Sequence, residues 1–193
     1  MYPATDLLAD AVQRYDVDND LGALLDRLRL IARNADDALL AHAAERYQER
    51  LEITMPLLEE VVRRHPADAR ALVALANAYW LTGRGPDVVG HLAERAKTAD
   101  PSNRGAWHLW ALAESDVRAR VGRWRGVTQR FPQDQLARAA LADNAASLAG
   151  AEHDPIALDL AIATYEGLLA EAANPTQRRA LEETLKVLRG WKL

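Results

Sequence analysis

Five histidines, His42, His65, His91, His108 and His153, are the side chains best suited to proton transfer or metal ligation, and there is no cysteine to join them. No two of them stand four apart, the spacing by which paired imidazoles on one helical face grip a zinc ion. The nearest thing to a catalytic or metal pair is His42-Ala43-Ala44-Glu45. One helical turn would bring imidazole and carboxylate together. A carboxylate-bridged dimetal centre needs two such segments and further inward glutamates, which this sequence does not supply. The pair reads as a surface contact. Asp16-Val17-Asp18-Asn19-Asp20 has the oxygen density of a calcium loop, but Leu21 stands where the sharp-turn glycine belongs and Arg27 where the closing acid belongs. It is expected to be a polar loop in which Asn19 or Asp20 caps a helix running to Arg33. Gly83-Arg84-Gly85-Pro86 lacks the spacing of a phosphate cradle and is a turn. No constellation for catalysis, a metal or a cofactor can be assembled, so the protein is expected not to be an enzyme.

Charge is distributed more tellingly. From Arg104 to Arg130 six arginines face only Glu114 and Asp116, whereas from Asp134 to Pro175 seven acids face only Arg138. One helix therefore presents Arg118, Arg120, Arg123 and Arg125 around Trp124, beside an acidic neighbour. Pairing between adjacent helices, with Trp124 in the core, is the first expectation. The functional alternative is a dock for an acidic peptide or protein face, because guanidinium groups fork onto carboxylates. The overall charge of −4 opposes both the counterion-release effect that drives nucleic-acid binding and attraction to an anionic membrane. Neither partner is expected.

The elements that must carry these residues are helical. Of 193 residues, 49% are apolar and 27% charged, ordinary values for a globular domain, and Ala, Leu, Arg and Glu dominate over β-branched residues. Met1 to Asp6 lacks the basic and apolar regions of a signal peptide, and the longest apolar stretch, Ala71 to Leu81, is far too short to span a membrane. A cytoplasmic location is expected. Five Trp and five Tyr stand against one Phe, so most large side chains carry a polar handle suited to interfaces. Pro66, Pro101, Pro132 and Pro175 punctuate the chain at intervals of 35, 31 and 43 residues, each between one apolar-periodic segment and the next helix start. Proline ends a helix, and the Asp, Asn, Ser and Thr beside it can accept the orphan amides of the following one. A period near 35 residues with two helices in each is the mark of a helical solenoid.

The unit from Ala69 to Asn103 is the clearest. It carries Leu72-x2-Leu75-Ala76-x2-Tyr79, then Val89-x3-Ala93, Ala96 and Pro101, with Gly83 in the turn. Here the chain resembles the tetratricopeptide repeat, whose pattern is Trp-x2-Leu-Gly-x2-Tyr, then Ala-x3-Phe, then Pro. The turn at Gly83 to Pro86 holds one residue more than the family's. The resemblance implies an all-α fold, a right-handed α-solenoid of antiparallel helix pairs, with about 9–11 helices and a C-terminal capping helix. One domain is expected over residues 1–193: a divergent pair over 1–34, pairs over 35–68, 69–103, 104–133 and 134–175, and a capping helix and tail over 176–193. Ala76, Ala93 and Ala96 would let helices approach closely while Leu75 and Tyr79 fill the space between them. The second helix of the first full pair is expected from Thr54 to Arg64. That of the third is expected to be short, from about Ala119 to Arg130, and an insertion is expected near Gly150 to Asp154.

Tetratricopeptide arrays line a concave groove with the first helix of each pair. That register puts Arg70, Val73, Asn77 and Trp80 on the groove in the best unit, His108 and Leu112 in the next, and Asp143 with Ser147 after that. Some family members clamp a terminal carboxylate with Lys and Asn on successive first helices. Asn77 matches one asparagine, but Val73 and Leu109 replace the lysine and the second asparagine, so the clamp is absent. What the resemblance implies is a protein-binding module, an adaptor, scaffold or assembly factor, that takes a peptide or protein partner in a mixed apolar and polar groove. The alternative is a structural subunit that forms a homo-oligomer or builds a larger complex. Trp191 and Leu193, in a short tail after Gly190, are candidates to dock on a neighbouring copy.

Overall fold

The computed structural model describes residues 4–192. Met1 to Pro3, read above for a leader, and Leu193 of the tail lie outside the described residues. Among these there are eleven helices and no strand: α1 (Ala4–Asp18), α2 (Leu21–Asn34), α3 (Asp37–Arg46), α4 (Leu51–Arg64), α5 (Ala69–Leu81), α6 (Pro86–Ala99), α7 (Arg104–Leu112), α8 (Val117–Arg130), α9 (Gln135–Glu152), α10 (Pro155–Glu171) and α11 (Pro175–Arg189).

Short polar side chains start most of them. Asp20, Asp36, Asp68, Asp116 and Asp134 each accept the backbone N–H three residues on, at 2.7 to 3.1 Å. Asp154 and Asn174 each accept two such amides. Each satisfies an orphan donor whose loss costs about 1 kcal/mol. Of the two caps expected in the acidic loop, Asp20 takes the role, and Asn19 sits in the left-handed region at φ 55°. The start of α6 works differently. Gly85, at φ 93°, turns the chain into Pro86 with no side-chain cap. A Cβ there would meet nothing within 4 Å, so the backbone angle rather than space requires glycine.

Three boundaries differ from the sequence reading. α4 begins at Leu51, one turn before Thr54, which leaves Pro56 inside the helix. The Thr54 hydroxyl donates to the carbonyls of Tyr47 and Arg50, at 2.6 and 3.1 Å, and ties down that extra turn. In the third pair the short helix is the first, since α7 has 9 residues and α8 has 14. The expected insertion near Gly150 is an extension of α9, an 18-residue helix that turns through His153 at φ 53° directly into α10.

The chain divides into two compact units, the first ending at Leu109 and the second beginning at Trp110. The core of the first begins with Leu8, Val12, Leu24, Leu28, Leu40, Ile53 and Leu57, drawn from α1 to α4. It continues through Leu72, Ala76, Val89, Ala93 and Ala96, each fully buried. The alanines stand where α5 and α6 pack, as expected for close helix approach. In the second unit Trp124 is buried with Val121 and Val127 of α8, and Leu141, Ala145 and Leu148 of α9 are buried with Ala161, Tyr165 and Leu168 of α10. α11 closes this unit by burying Leu185 and Leu188 and leaving its charged residues outside. No helix among the described residues is long and apolar enough to cross a membrane.

One centre in the first unit was not read from the sequence. The Arg64 guanidinium donates to Ala32 O, Arg33 O and Ala35 O at the carboxyl end of α2, at 2.8, 3.2 and 2.8 Å. It also reaches Asp37 Oδ1 of α3 at 2.9 Å and Glu60 Oε1 of its own helix at 2.7 Å. A cation at that helix end satisfies orphan carbonyls and complements the dipole. The Asp37 carboxylate also pairs with His65 Nε2 at 2.7 Å, and His65 and Arg64 together hold its pKa below the ordinary value.

Candidate functional site

α5 has two usable sides. On one, Arg70, Asn77 and Trp80 are exposed along a single stripe, the spacing of a helical face. Trp80 keeps 38% of its surface open, unusual for a tryptophan. Val73, expected on the same stripe, is only partly open: a Cβ on Gly105 would come within 3.3 Å of Val73 Cγ1, so that glycine lets α7 approach α5 closely. His108, on α7, is half-buried. Trp107 beside it is occupied internally, donating from Nε1 to Pro101 O at 3.0 Å with Lys97 Nζ 4.9 Å above its ring.

The other side of α5 was expected to be filled. Leu75, buried, and Tyr79, half-buried, do fill the space between α4 and α6, and above them lies an open cleft of about 720 Å³. Val62 of α4 with Val88 and Leu92 of α6 form its walls. The Tyr79 hydroxyl donates to Glu59 Oε1 at 2.7 Å. Burial, then the neighbouring carboxylate, pushes the Tyr79 pKa up to about 12, so the phenol stays protonated and donating. The sequence carries one sign of this cleft. Val88 stands one turn before the buried Leu92, at the edge of the face formed by Val89, Ala93 and Ala96, yet is 45% exposed.

In the second unit most arginines of α8 are paired within the chain. Arg118 pairs with Glu152 at 2.5 Å and Asp154 at 3.0 Å. Arg120 donates to Asn144 Oδ1 at 2.7 Å and Glu114 O at 2.8 Å. Arg123 donates to Trp110 O, pairs with Glu114 at 2.6 Å and lies 4.8 Å from the centre of the Trp110 ring. Arg125 remains exposed. The structure thus ties three of the four arginines to their own chain, with Trp124 buried, as the first of the two sequence expectations had it. Asp143 is exposed yet accepts the hydroxyl of Tyr165, whose pKa burial and that carboxylate raise. Leu112 keeps 37% of its surface. Trp191, considered above for docking on another copy, lies against its own α9, where a Cβ on Gly150 would sit 3.4 Å from its ring carbons, and keeps 37% of its surface open.

Comparison with solved structures decides the fold. The crystal structure of TTC0263, a thermophilic TPR protein in Thermus thermophilus, superposes with a TM-score of 0.59 at 16% identity, covering 96% of this chain and 100% of that one. The fold is tetratricopeptide-like. The crystal structure of MamA protein is similar as well, with a TM-score of 0.55 at 12% identity over 78% of this chain and 88% of that one. No protein-family model matches the chain. No curated protein matches it either. At these identities the likeness establishes the helix-pair architecture, and any activity must be argued from the residues themselves.

Proposed function

We propose that this chain is a non-enzymatic protein-binding module, an adaptor or assembly factor that holds a segment of a protein partner along the first helices of its pairs. The observation that carries this reading is the stripe of Arg70, Asn77 and Trp80 on α5. A half-open indole with an amide one turn before it and a cation further back on the same stripe offers an apolar anchor with hydrogen-bonding groups beside it, a combination suited to peptide recognition. His108 is half-buried on the next first helix of the same unit; the second unit, taken by itself, leaves Leu112 and Asp143 exposed on its own first helices. Arg125 is the α8 arginine left to meet an acidic partner. The tetratricopeptide-like fold supports the reading, since such arrays present helix faces rather than enclosed pockets.

The test places a photo-crosslinking amino acid at Ala74, which is exposed on α5 between Arg70 and Asn77. Crosslinks to one partner, lost on Trp80→Ala with Asn77→Ala, are the expected result. Crosslinks only between copies of the chain would replace this reading with the structural alternative, self-assembly. No crosslink beyond the background of an exposed position on α11 would overturn both.

A further inference from the structure

We propose a second docking surface in the first unit: the cleft between α4 and α6 receives an amphipathic helix of a partner protein, running antiparallel to both. The occupant carries acidic residues in its first turn and basic residues in its last. This surface lies apart from the stripe of the proposed function and does not depend on it.

The direction of the walls comes first. Thr82 Oγ1, just past the carboxyl end of α5, lies 3.6 Å from Met55 Sδ near the start of α4, so α5 runs back along α4. Arg95 Nη2, near the end of α6, donates to Pro66 O, just past the end of α4, at 2.9 Å. α4 and α6 therefore run the same way, and the cleft has distinct ends. Glu59 and Asp87 stand at the end near Tyr79, where the Arg84 guanidinium lies 5.4 Å from the Tyr79 ring centre and offsets one of the two acids; Arg63 and Arg95 stand at the end near Pro66, and His91 lines the wall between Asp87 and Arg95. Eight residues separate Asp87 from Arg95, a rise of about 12 Å along α6. Anchors at i and i+7 of a docked helix lie about 10.5 Å apart, so the charged ends of the α6 wall bracket two turns of helix, while Glu59 and Arg63 on α4 stand about one turn apart.

The cleft's surface suits such an occupant. Its apolar lining includes Val88, which is 45% exposed on a helix whose neighbouring Val89 is fully buried. The charged ends also retain capacity. Arg63 is bound to Glu60 through Nε and Nη2, and Arg95 has one donor on Pro66 O, which leaves further donors on both. Glu59 accepts Tyr79 on Oε1, leaving Oε2 for a cation. A helix ordinarily favours acids in its first turn and bases in its last because of its own dipole. Laid antiparallel to α4 and α6, that helix brings its carboxylates to Arg63 and Arg95 and its cations to Glu59 and Asp87. The reverse orientation sets like charges against each other at both ends.

The experiment uses the full chain and two fluorescent helical peptides of identical composition. One has Leu at i, i+3, i+4 and i+7, Glu in the first turn and Lys in the last; the second exchanges the Glu and Lys positions. Anisotropy titrations at low salt are expected to show the first peptide binding about ten-fold more tightly. Val88→Glu should abolish its binding, and Arg63→Glu with Arg95→Glu should reverse the preference between the peptides. Circular dichroism checks that each variant is folded, and Val88→Ser serves where Val88→Glu is not. Trp80→Ala should leave the titration unchanged. Equal affinities, no binding of either peptide at about 1 mM, or binding lost with Trp80→Ala and kept with Val88→Glu would each overturn the proposal. Light scattering adds one further arm: a wild-type oligomer that Val88→Glu converts to a monomer would show that a second copy of this chain fills the cleft, and would also overturn it. Each of these failures leaves the crosslinking test from Ala74 free to succeed.

Discussion

In α4 a single arginine reaches five acceptors, three of them backbone carbonyls around the carboxyl end of α2. In α8 Arg118, Arg120 and Arg123 share a similar number of partners between them, most of them side chains, Arg130 lies over the Phe131 ring, and Arg125 stays in solvent. In the sequence the two regions look the other way round: α8 stands out as a cationic stripe, and Arg64 is one residue of an ordinary Arg63-Arg64 helix end. The contrast teaches that the density of like charge does not rank what arginines do. What ranks them is the number of otherwise orphaned acceptors each can reach and how little solvent remains around it.

If this ranking holds, Arg64→Ala should be the most damaging single change among these residues. It strands the α2 carbonyls, breaks the link from α2 to α3 and α4, and leaves the buried Glu60 with one partner fewer. A drop in melting temperature on the order of 10 °C is expected by calorimetry, whereas a drop no greater than that of any α8 arginine variant would erase the comparison. Arg64→Lys should recover little, because an ammonium cannot fork across the acceptors of two helices.

Glu60 sharpens the same side of the comparison. It is only 7% exposed, and the hydrogen bond from Arg63, with that from Arg64, holds its pKa well below the ordinary carboxylate value of 4.5, at about 2. A carboxyl group whose pKa is lower in the folded state contributes stability that is complete above about pH 4.5 and is lost as the pH falls toward about 2. Glu60→Gln should cost about 2 kcal/mol at neutral pH and flatten the wild-type loss of stability through that acid window. Parallel urea titrations of the two proteins at pH 7 and at pH 3 should show the gap between them narrowing at pH 3, and a constant gap would argue against the Glu60 pairing.

Much of this was legible beforehand, and the rest was not for physical reasons. Proline and Asx punctuation is local chemistry, so the helix order and the caps at Asp20, Asp68, Asp134 and Asn174 follow from the sequence. The repeat residues around Ala76 and Ala93 give the fold. Arg70, Asn77 and Trp80 were legible as an outward stripe because the repeat that α5 resembles implies which face of its first helix is left open. Arg64 was not, because its acceptors are carbonyls about 30 residues away in α2, and a carbonyl leaves no mark in a sequence. The cleft was missed for a related reason. Leu75 and Tyr79 have the repeat's filler types, and whether the helices on either side close over them depends on three-dimensional spacing. The extension of α9 through Gly150 read as an insertion because glycine and the following polar residues resemble a loop until the packing of α9 on α10 is known.

On the α8 side the effects should be graded by exposure. Arg123, with its guanidinium on the Trp110 ring and carbonyl and on Glu114, is 28% exposed, and Arg123→Ala should cost about 1–2 kcal/mol.

The smallest effects should come from the outermost pair of arginines, and they provide the sharpest check on the first sequence expectation for this helix. Arg118 keeps 59% of its side chain in solvent while bridging Glu152 and Asp154. Its contribution should be visible at low ionic strength and largely gone near 1 M salt, because exposed ion pairs are screened over a few ångströms there. Arg125→Ala should change stability by less than about 0.5 kcal/mol at any salt concentration. Urea melts of Arg118→Ala and Arg125→Ala at two salt concentrations separate the cases. If Arg125 proves as costly as Arg123, it has an intramolecular role, and its assignment to an acidic partner fails. If Arg125 is silent for stability yet its charge reversal weakens a partner crosslink from a probe placed on α8 itself, then Arg125 serves a partner while Arg118, Arg120 and Arg123 serve the fold.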